Sequence, residues 1–319
     1  MLSEFDIIKR YFMPPTDHTV LAGGDDAALI AVSSGMELAI SVDALVAGRH
    51  FFEEAEPSGV GYKCMGVNLS DMAAMGARPR WATLSLTLPH ADERWLEDFS
   101  HGFLQHAREH NVDLIGGDTT SGPLTVCVQI MGEVPAGRAL RRSGARVGDD
   151  IWLSGIIGDA ALALAHARGE FRLHADDLAY AVKRLTRPQP RVALGIALLG
   201  IATSAIDISD GLVADVGHIA KASNVAAVME WNRLPLSIAG MRDRDHPLLH
   251  WAVLTGGDDY ELAFTAPPSA RSRLAAIAGE VGVALTRIGE MQTGQGVVVS
   301  DERGQPLELV RQGFDHFRA

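Results

Sequence analysis

Two apolar rhythms take turns along this chain, and their alternation restricts the folds open to it more than any other feature. Period-two alternation marks a strand at Glu37-Leu38-Ala39-Ile40-Ser41-Val42-Asp43, with Leu38, Ile40 and Val42 on one face and Ser41 and Asp43 on the other. A helix follows from Pro57 to about Met75, with Asn68 and Asp71 one turn apart on the same side. Residues 81–88 read as a strand, and Asp92 is placed to cap a helix carrying Trp95, Phe99 and Phe103 at helical spacing. Ser3 to Asp6 opens like a capping box for a short helix reaching Phe12, which Pro14-Pro15 ends. Strands at 112–115 and 124–133 complete the first half. Between 135 and 150 the pattern lapses into Gly, Arg, Ser and Ala, as a linker would. Beyond it come a strand at 151–153, helices near 159–168, 175–186 and 190–199, and a strand at 205–209. A helix from Leu212, a strand at 225–231 and a mixed segment from Tyr260 follow. The expectation is an α/β (α+β) fold in two domains, 1–137 and 150–319, joined by a linker at 138–149.

The formal net charge of −12 argues against nucleic acid as a partner, since no extended cationic surface is on offer. Phosphate ligands remain open if metal ions supply the positive charge. Only Cys64 and Cys127 are present, too few for a disulfide framework or a four-thiolate zinc site, and both read as buried thiols of a reducing compartment. Met1 to Tyr11 shows no signal-peptide core, and the apolar stretch from Val192 to Ile206 is broken by Gly195, Gly200, Thr203 and Ser204. A cytoplasmic protein with no membrane partner is expected.

Chemistry should lie where aspartate meets glycine or a strand end. This happens at Gly24-Asp25-Asp26, Ser41-Val42-Asp43, Gly117-Asp118 and Asp207-Ile208-Ser209-Asp210-Gly211, while Asp71 lies on a helix. Gly-Gly-Asp recurs at 23–25, 116–118 and 256–258. Glycine permits sharp turns and close approach of an anion, and carboxylates are the hard-oxygen donors magnesium prefers. For any single Asp-Gly pair, turn chemistry is the simpler account. The set is harder to dismiss, because α/β active sites gather at strand ends. There is no Gly-Lys pair for a Walker A loop, and no GxGxxG.

The segments GGDDAAL (23–29), SVDALVAGRHFF (41–52), NLSDMAAMGARP (68–79), LIGGDTTSGP (114–123), GRALRRSGARVGD (137–149), SGIIGDAALAL (154–164), AIDISDGL (205–212) and GGDDYEL (256–262) resemble the thiamine-monophosphate kinase family. They match in order over nearly the whole chain. The wider superfamily is similar to aminoimidazole-ribonucleotide synthetase. The resemblance implies a two-domain PurM-like fold, a homodimer formed through the N-terminal sheet, and ATP with several magnesium ions between the domains. It implies magnesium ligands at Asp26, Ser41, Val42 (through its carbonyl), Asp43, Asp71, Asp118, Asp207 and Asp210. Gly117, Asp118, Arg142 and Ser209 would contact ATP, and His50, Asp258 and Phe314 the thiamine monophosphate. The family usually carries glutamate where this chain has Asp258, which keeps the charge and loses a methylene of reach.

Transfer between two anionic phosphates is mainly positioning and charge neutralisation. A phosphate monoester has its second pKa near about 6 and is already largely deprotonated, so no catalytic general base is expected. An attraction between Phe314, or Phe51, and the cationic thiazolium is worth about 0.5–2 kcal/mol. His106-Ala107-Arg108-Glu109-His110 spells an inverted zincin pattern, but is expected on the water-facing side of its helix, away from the aromatic stripe. Asp149, Asp159 and Asp215 fit turn or helix-cap roles better than ligand roles. The alternatives are another ATP-dependent member of the superfamily, acting on a purine intermediate or selenide, and a non-catalytic nucleotide-binding regulator.

Overall fold

The structure, a computed structural model, describes residues 3–242, 244 and 246–307. The chain forms two compact units, Met1–Met72 with Ala77–Gly137, and Ala73–Gly76 with Arg138–Ala319.

The first unit holds helix α1 (Glu4–Tyr11), strand β1 (Met36–Val46), helix α2 (Pro57–Ala74, whose last residues count with the second unit), strand β2 (Arg78–Leu88), helix α3 (Glu93–Glu109), and strands β3 (Asp113–Ser121) and β4 (Thr125–Pro135). The strands form one sheet in the order β1-β4-β2-β3. β4 runs antiparallel to both neighbours, and β3 parallel to β2. The capping box closes on Ser3 and Asp6, and Asp92 accepts from the backbone of Arg94 and Trp95 to start α3.

One face of the sheet is buried through Leu84, Leu86, Val126, Val128 and Ile130. α2 is buried on nearly every side, and α3 is amphipathic with Leu96, Phe99 and Phe103 fully buried. The two helices approach through glycines. A β-carbon on Gly61 would lie 2.2 Å from Phe99 O, and one on Gly102 would lie 1.9 Å from Ser58 O. His106 belongs to this buried side, contrary to the sequence expectation. It is 1% exposed, stacks on Tyr62 at 3.6 Å and bonds to Tyr62 O through Nδ1. The reason is spacing: position 106 lies three residues beyond Phe103 and so continues the aromatic stripe.

The second unit holds β5 (Asp150–Ser154), α4 (Asp159–Ala167), α5 (Ala175–Thr186), α6 (Val192–Ala197), β6 (Ser204–Asp207), α7 (Leu212–Ser223), β7 (Ala226–Glu230), α8 (Ile238–Arg242), α9 (Pro247–Leu254), β8 (Leu262–Ala266), α10 (Arg271–Val281), β9 (Leu285–Gln292) and β10 (Gly296–Ser300). Its sheet order is β10-β7-β9-β5-β8-β6, with only β10 and β7 parallel. Ile151, Leu153, Ile206, Ile208, Leu212 and Val216 belong to its core. Residues 138–149, expected as a linker, lie in this unit: Leu140 N donates to Met75 O, and Arg141 O accepts from Ala205 N. No helix among the described residues is long and apolar enough to cross a membrane.

The α2–α3 crossing offers a test. Alanine in place of Gly102 would gain about 1 kcal/mol of helix propensity, but its methyl would overlap a backbone carbonyl that cannot rotate away. The clash should win. Gly102→Ala is expected to lower the unfolding free energy by about 2 kcal/mol, read by urea denaturation. Equal or greater stability would show that the crossing can relax.

Candidate active site

In the first unit, Asp43 lies within β1 opposite Val128, since the strand runs three residues beyond the end expected from the sequence. Ser41 Oγ donates to Asp71 Oδ2 at 2.5 Å, tying β1 to α2. One turn earlier in α2, Asn68 Nδ2 donates to Cys64 O at 2.9 Å, and its fully buried Oδ1 has no hydrogen-bond partner. Burial pushes the Cys64 thiol far up, with the Asp43 charge adding and Lys63 opposing. Cys64 therefore stays a thiol, and the donors at this spot are carboxylate, hydroxyl and amide oxygens. Such a set fits magnesium and not a thiophilic metal.

Gly117 and Asp118 lie inside β3, not at a turn, opposite Leu84 and Ser85. Gly117 takes φ +153°, and a β-carbon there would be 1.8 Å from Leu84 O. Glycine is needed for the strands to close, and Asp118 follows it on the exposed surface. Asp26 lies in the loop before β1. A β-carbon on Gly23 would sit 3.8 Å from Ile115 O, so the first two Gly-Gly-Asp segments are neighbours.

The chain leading to Asp26 is held by Asp113, which accepts from Asp17 N at 3.0 Å, His18 N at 2.6 Å and Thr19 Oγ1 at 2.7 Å. Trp81 Nε1 adds a bond to His18 O at 3.2 Å. Burial alone would raise the Asp113 pKa, but these donors outweigh it and hold the carboxyl below its ordinary value. His50 lies in the turn after β1, where its Nδ1 accepts from Val46 N at 3.0 Å and so leaves the proton on Nε2.

In the second unit, Asp207 ends β6, and Ser209-Asp210-Gly211 leads into α7. Asp215 folds back from the first turn of α7, its Oδ2 accepting from Ser209 N, Asp210 N and Gly211 N at 3.0, 3.0 and 3.2 Å. This is the turn role expected of it. Burial pushes Asp215 up to about 8, with Asp207 and Asp210 adding their charges.

Asp258 N donates to Ser209 O at 3.0 Å, and Tyr260 N to Ile208 O at 2.8 Å. The close pairing needs Gly257, where a β-carbon would meet Ser209 O at 2.0 Å. Asp207, Ser209, Asp210 and Asp258 thus gather at one end of the sheet. The exposed Arg142 lies nearby in sequence to Arg141, whose carbonyl bonds the start of β6, and Arg142 O accepts from Ser223 Oγ.

Sequence reasoning missed the buried support beneath this loop. Glu261, 1% exposed, accepts from Arg184 Nη2 at 2.9 Å, Arg191 Nε at 2.6 Å and Ser154 Oγ at 2.5 Å. Asp259 accepts from Gly158 N at 2.9 Å. Burial raises the Asp259 carboxyl well above the ordinary range, against the pull of Gly158 N–H and Arg184. Partners 70 or more residues apart left no periodic signal to find them by. Among the described residues no three carboxylate, imidazole or thiol groups surround one point. Magnesium commonly takes only one or two carboxylates and completes its shell with phosphate oxygens and water.

Residues 24–134 match the AIR synthase related protein N-terminal domain, and residues 146–302 the corresponding C-terminal domain. The thiamine-monophosphate kinase of Escherichia coli (strain K12) is 46% identical over 319 residues, covering 98% of each chain. The chain belongs to the thiamine-monophosphate kinase family. The crystal structure of thiamine-monophosphate kinase from Stenotrophomonas maltophilia K279a superposes with a TM-score of 0.85 at 46% identity, over 91% of this chain and 93% of that one. A second structure, AaThiL complexed with AMPPCP and TMP, gives a TM-score of 0.78 at 30% identity, over 90% and 89%. The two-domain α/β architecture is that of the family. Of the site residues expected from the resemblance, Phe314 lies outside the described residues.

Asp113 gives a prediction with a definite sign. Its lowered pKa means that its stabilisation is present above the unfolded carboxylate value of about 4 and lost as pH falls through the folded value. Asp113→Ala should cost about 1–3 kcal/mol at pH 7. In denaturant melts the gap between variant and wild type should narrow below about pH 4, and a gap constant with pH would remove the ionised-anchor account.

Proposed function

We propose that this chain transfers the γ-phosphoryl group of ATP to the phosphate of thiamine monophosphate, giving thiamine diphosphate and ADP. Full-length kinship with thiamine-monophosphate kinases carries the reading, and the complex of AaThiL with AMPPCP and TMP supports the pairing of substrates. The substrate phosphate is already largely dianionic at neutral pH, so no side chain need remove a proton. The protein's work is to align two anions and offset their repulsion.

Asp26, Ser41, Val42 (through its carbonyl), Asp43, Asp71 and Asp118, with Asp207 and Asp210, are the groups we assign to holding magnesium, which supplies charge neutralisation at the phosphates. The hard-oxygen donors around Ser41 and Asp71, and the neutral Cys64 beside them, support that choice. Gly117, Asp118, Arg142 and Ser209 are assigned to ATP. A glycine backbone can approach phosphate closely, and an exposed guanidinium can bind it bidentately. His50, Asp258 and Phe314 are assigned to thiamine monophosphate, with His50 offering its Nε2–H. We place the reaction in the cytoplasm, where ATP is made.

We also propose a homodimer. Ile40 and Val42 on β1 are 55% and 59% exposed, on the face of the strand opposite the Ser41 side chain that binds Asp71. Apolar residues set side by side on a long edge strand invite a partner.

Purified protein with ATP, magnesium and thiamine monophosphate should form thiamine diphosphate, followed by chromatography, and chelation should stop it. Absence of the diphosphate while ATP still binds would overturn the kinase reading. Asp43→Asn and Asp71→Asn should each lower kcat at least about 100-fold with little change in melting temperature. Near-normal rates would remove the metal assignment. Ile40→Lys with Val42→Lys should give monomers by light scattering, and a persisting dimer would place the interface elsewhere.

A further inference from the structure

The segment 256–261 carries two kinds of residue in alternation. Asp259 and Glu261 are buried and fixed by Gly158, Ser154, Arg184 and Arg191. Asp258 and Tyr260 both take left-handed backbone, φ 70° and 52°, which non-glycine residues adopt at a cost. The anchors on either side hold that conformation, together with the bonds of Asp258 N and Tyr260 N to Ser209 O and Ile208 O. One consequence is that the Tyr260 hydroxyl donates to Asp258 Oδ1 at 2.9 Å. Tyr260 is 9% exposed, so its ring is held by packing and its hydroxyl is a fixed point.

We propose that Tyr260 is a positioning residue for the heterocyclic end of the substrate, acting through the hydrogen bond that aims the Asp258 carboxylate. The inference rests on the reading of Asp258 as a substrate contact and adds what orients it and which end it faces. A carboxylate repels the substrate phosphate and attracts the cationic thiazolium, so Asp258 faces the ring system. With one methylene less than glutamate, Asp258 has little reach to adjust, and its orientation must be set from outside. The phenol does so by engaging Oδ1, which fixes the rotation of the carboxylate group that the ligand meets.

The test is a double-mutant cycle with Tyr260→Phe, Asp258→Ala and the double variant, each assayed for KM toward thiamine monophosphate and toward ATP. Tyr260→Phe should raise the thiamine monophosphate KM about tenfold, as expected for one hydrogen bond to a charged group. The ATP KM, kcat and melting temperature should stay near wild type. Asp258→Ala should raise the same KM at least as much. The double variant should match Asp258→Ala alone, because a residue acting through Asp258 has nothing left to orient.

Additive effects, or a normal KM in Tyr260→Phe, would overturn the positioning role. If Asp258→Ala itself leaves the thiamine monophosphate KM unchanged, the substrate role of Asp258 falls and takes the inference with it. If Asp258→Ala raises that KM and Tyr260→Phe does not, only the inference falls. Should a variant melt early, the same cycle is read as equilibrium binding of thiamine monophosphate below its melting temperature, with the same deciding outcomes.

Discussion

The contact between the Gly257 backbone and the Ser209 carbonyl is the constraint on which the second unit's site depends. A β-carbon at 257 would meet that oxygen at 2.0 Å, and one at Gly211 would meet Thr255 Cα at 2.8 Å. Two loops far apart in sequence can therefore lie backbone to backbone only because neither carries a side chain at the crossing. Their closeness lets Asp258 N and Tyr260 N bond the carbonyls of Ser209 and Ile208. Acidic residues from both loops then share one end of the sheet. Glycine is the enabling residue, and the carboxylates are what it delivers.

Bringing carboxylates together carries an electrostatic cost, and the chain meets it in two ways. Around Ser209 and Asp210 the Asp215 carboxylate collects three backbone N–H groups, which fixes the loop, yet burial and the charges of Asp207 and Asp210 still push its pKa to about 8. Deeper in the unit, Glu261 takes both Arg184 and Arg191. Asp259 receives chiefly a backbone donor, and burial drives it toward its neutral form. Glu261 thus meets its burial with two guanidiniums, while Asp259 relies on a backbone donor and the nearby Arg184, two different answers to the cost of burying acidic groups.

Sequence periodicity located most elements because each buries one well-defined face. The Asp92 cap, the aromatic stripe of α3 and the 175–186 helix were legible for that reason. It misplaced Gly117-Asp118, since glycine in a motif signals a turn and close strand–strand approach equally well, and only the register with β2 distinguishes them. It sent His106 toward water by weighing residue type over spacing. The carboxylates that resemble a metal set stood out as motifs, whereas Asp113, Arg184 and Arg191 did not. Their partners lie across the fold, and a single sequence carries no trace of which distant donor an aspartate or arginine meets.

β1 shows why one strand can serve two purposes at once. Alternation sends Ser41 and Asp43 toward α2, where Ser41 binds Asp71, and sends Ile40 and Val42 outward on the other face. A slip of one residue against β4 would exchange the two faces, exposing the polar pair and burying the apolar one against α2. The register from Met36 opposite Pro135 to Val46 opposite Thr125 runs unbroken over eleven residues, so the slip would break every one of those pairings together. The polar face and the open apolar face are thus fixed by the same ladder of backbone hydrogen bonds, and neither can be shifted without the other.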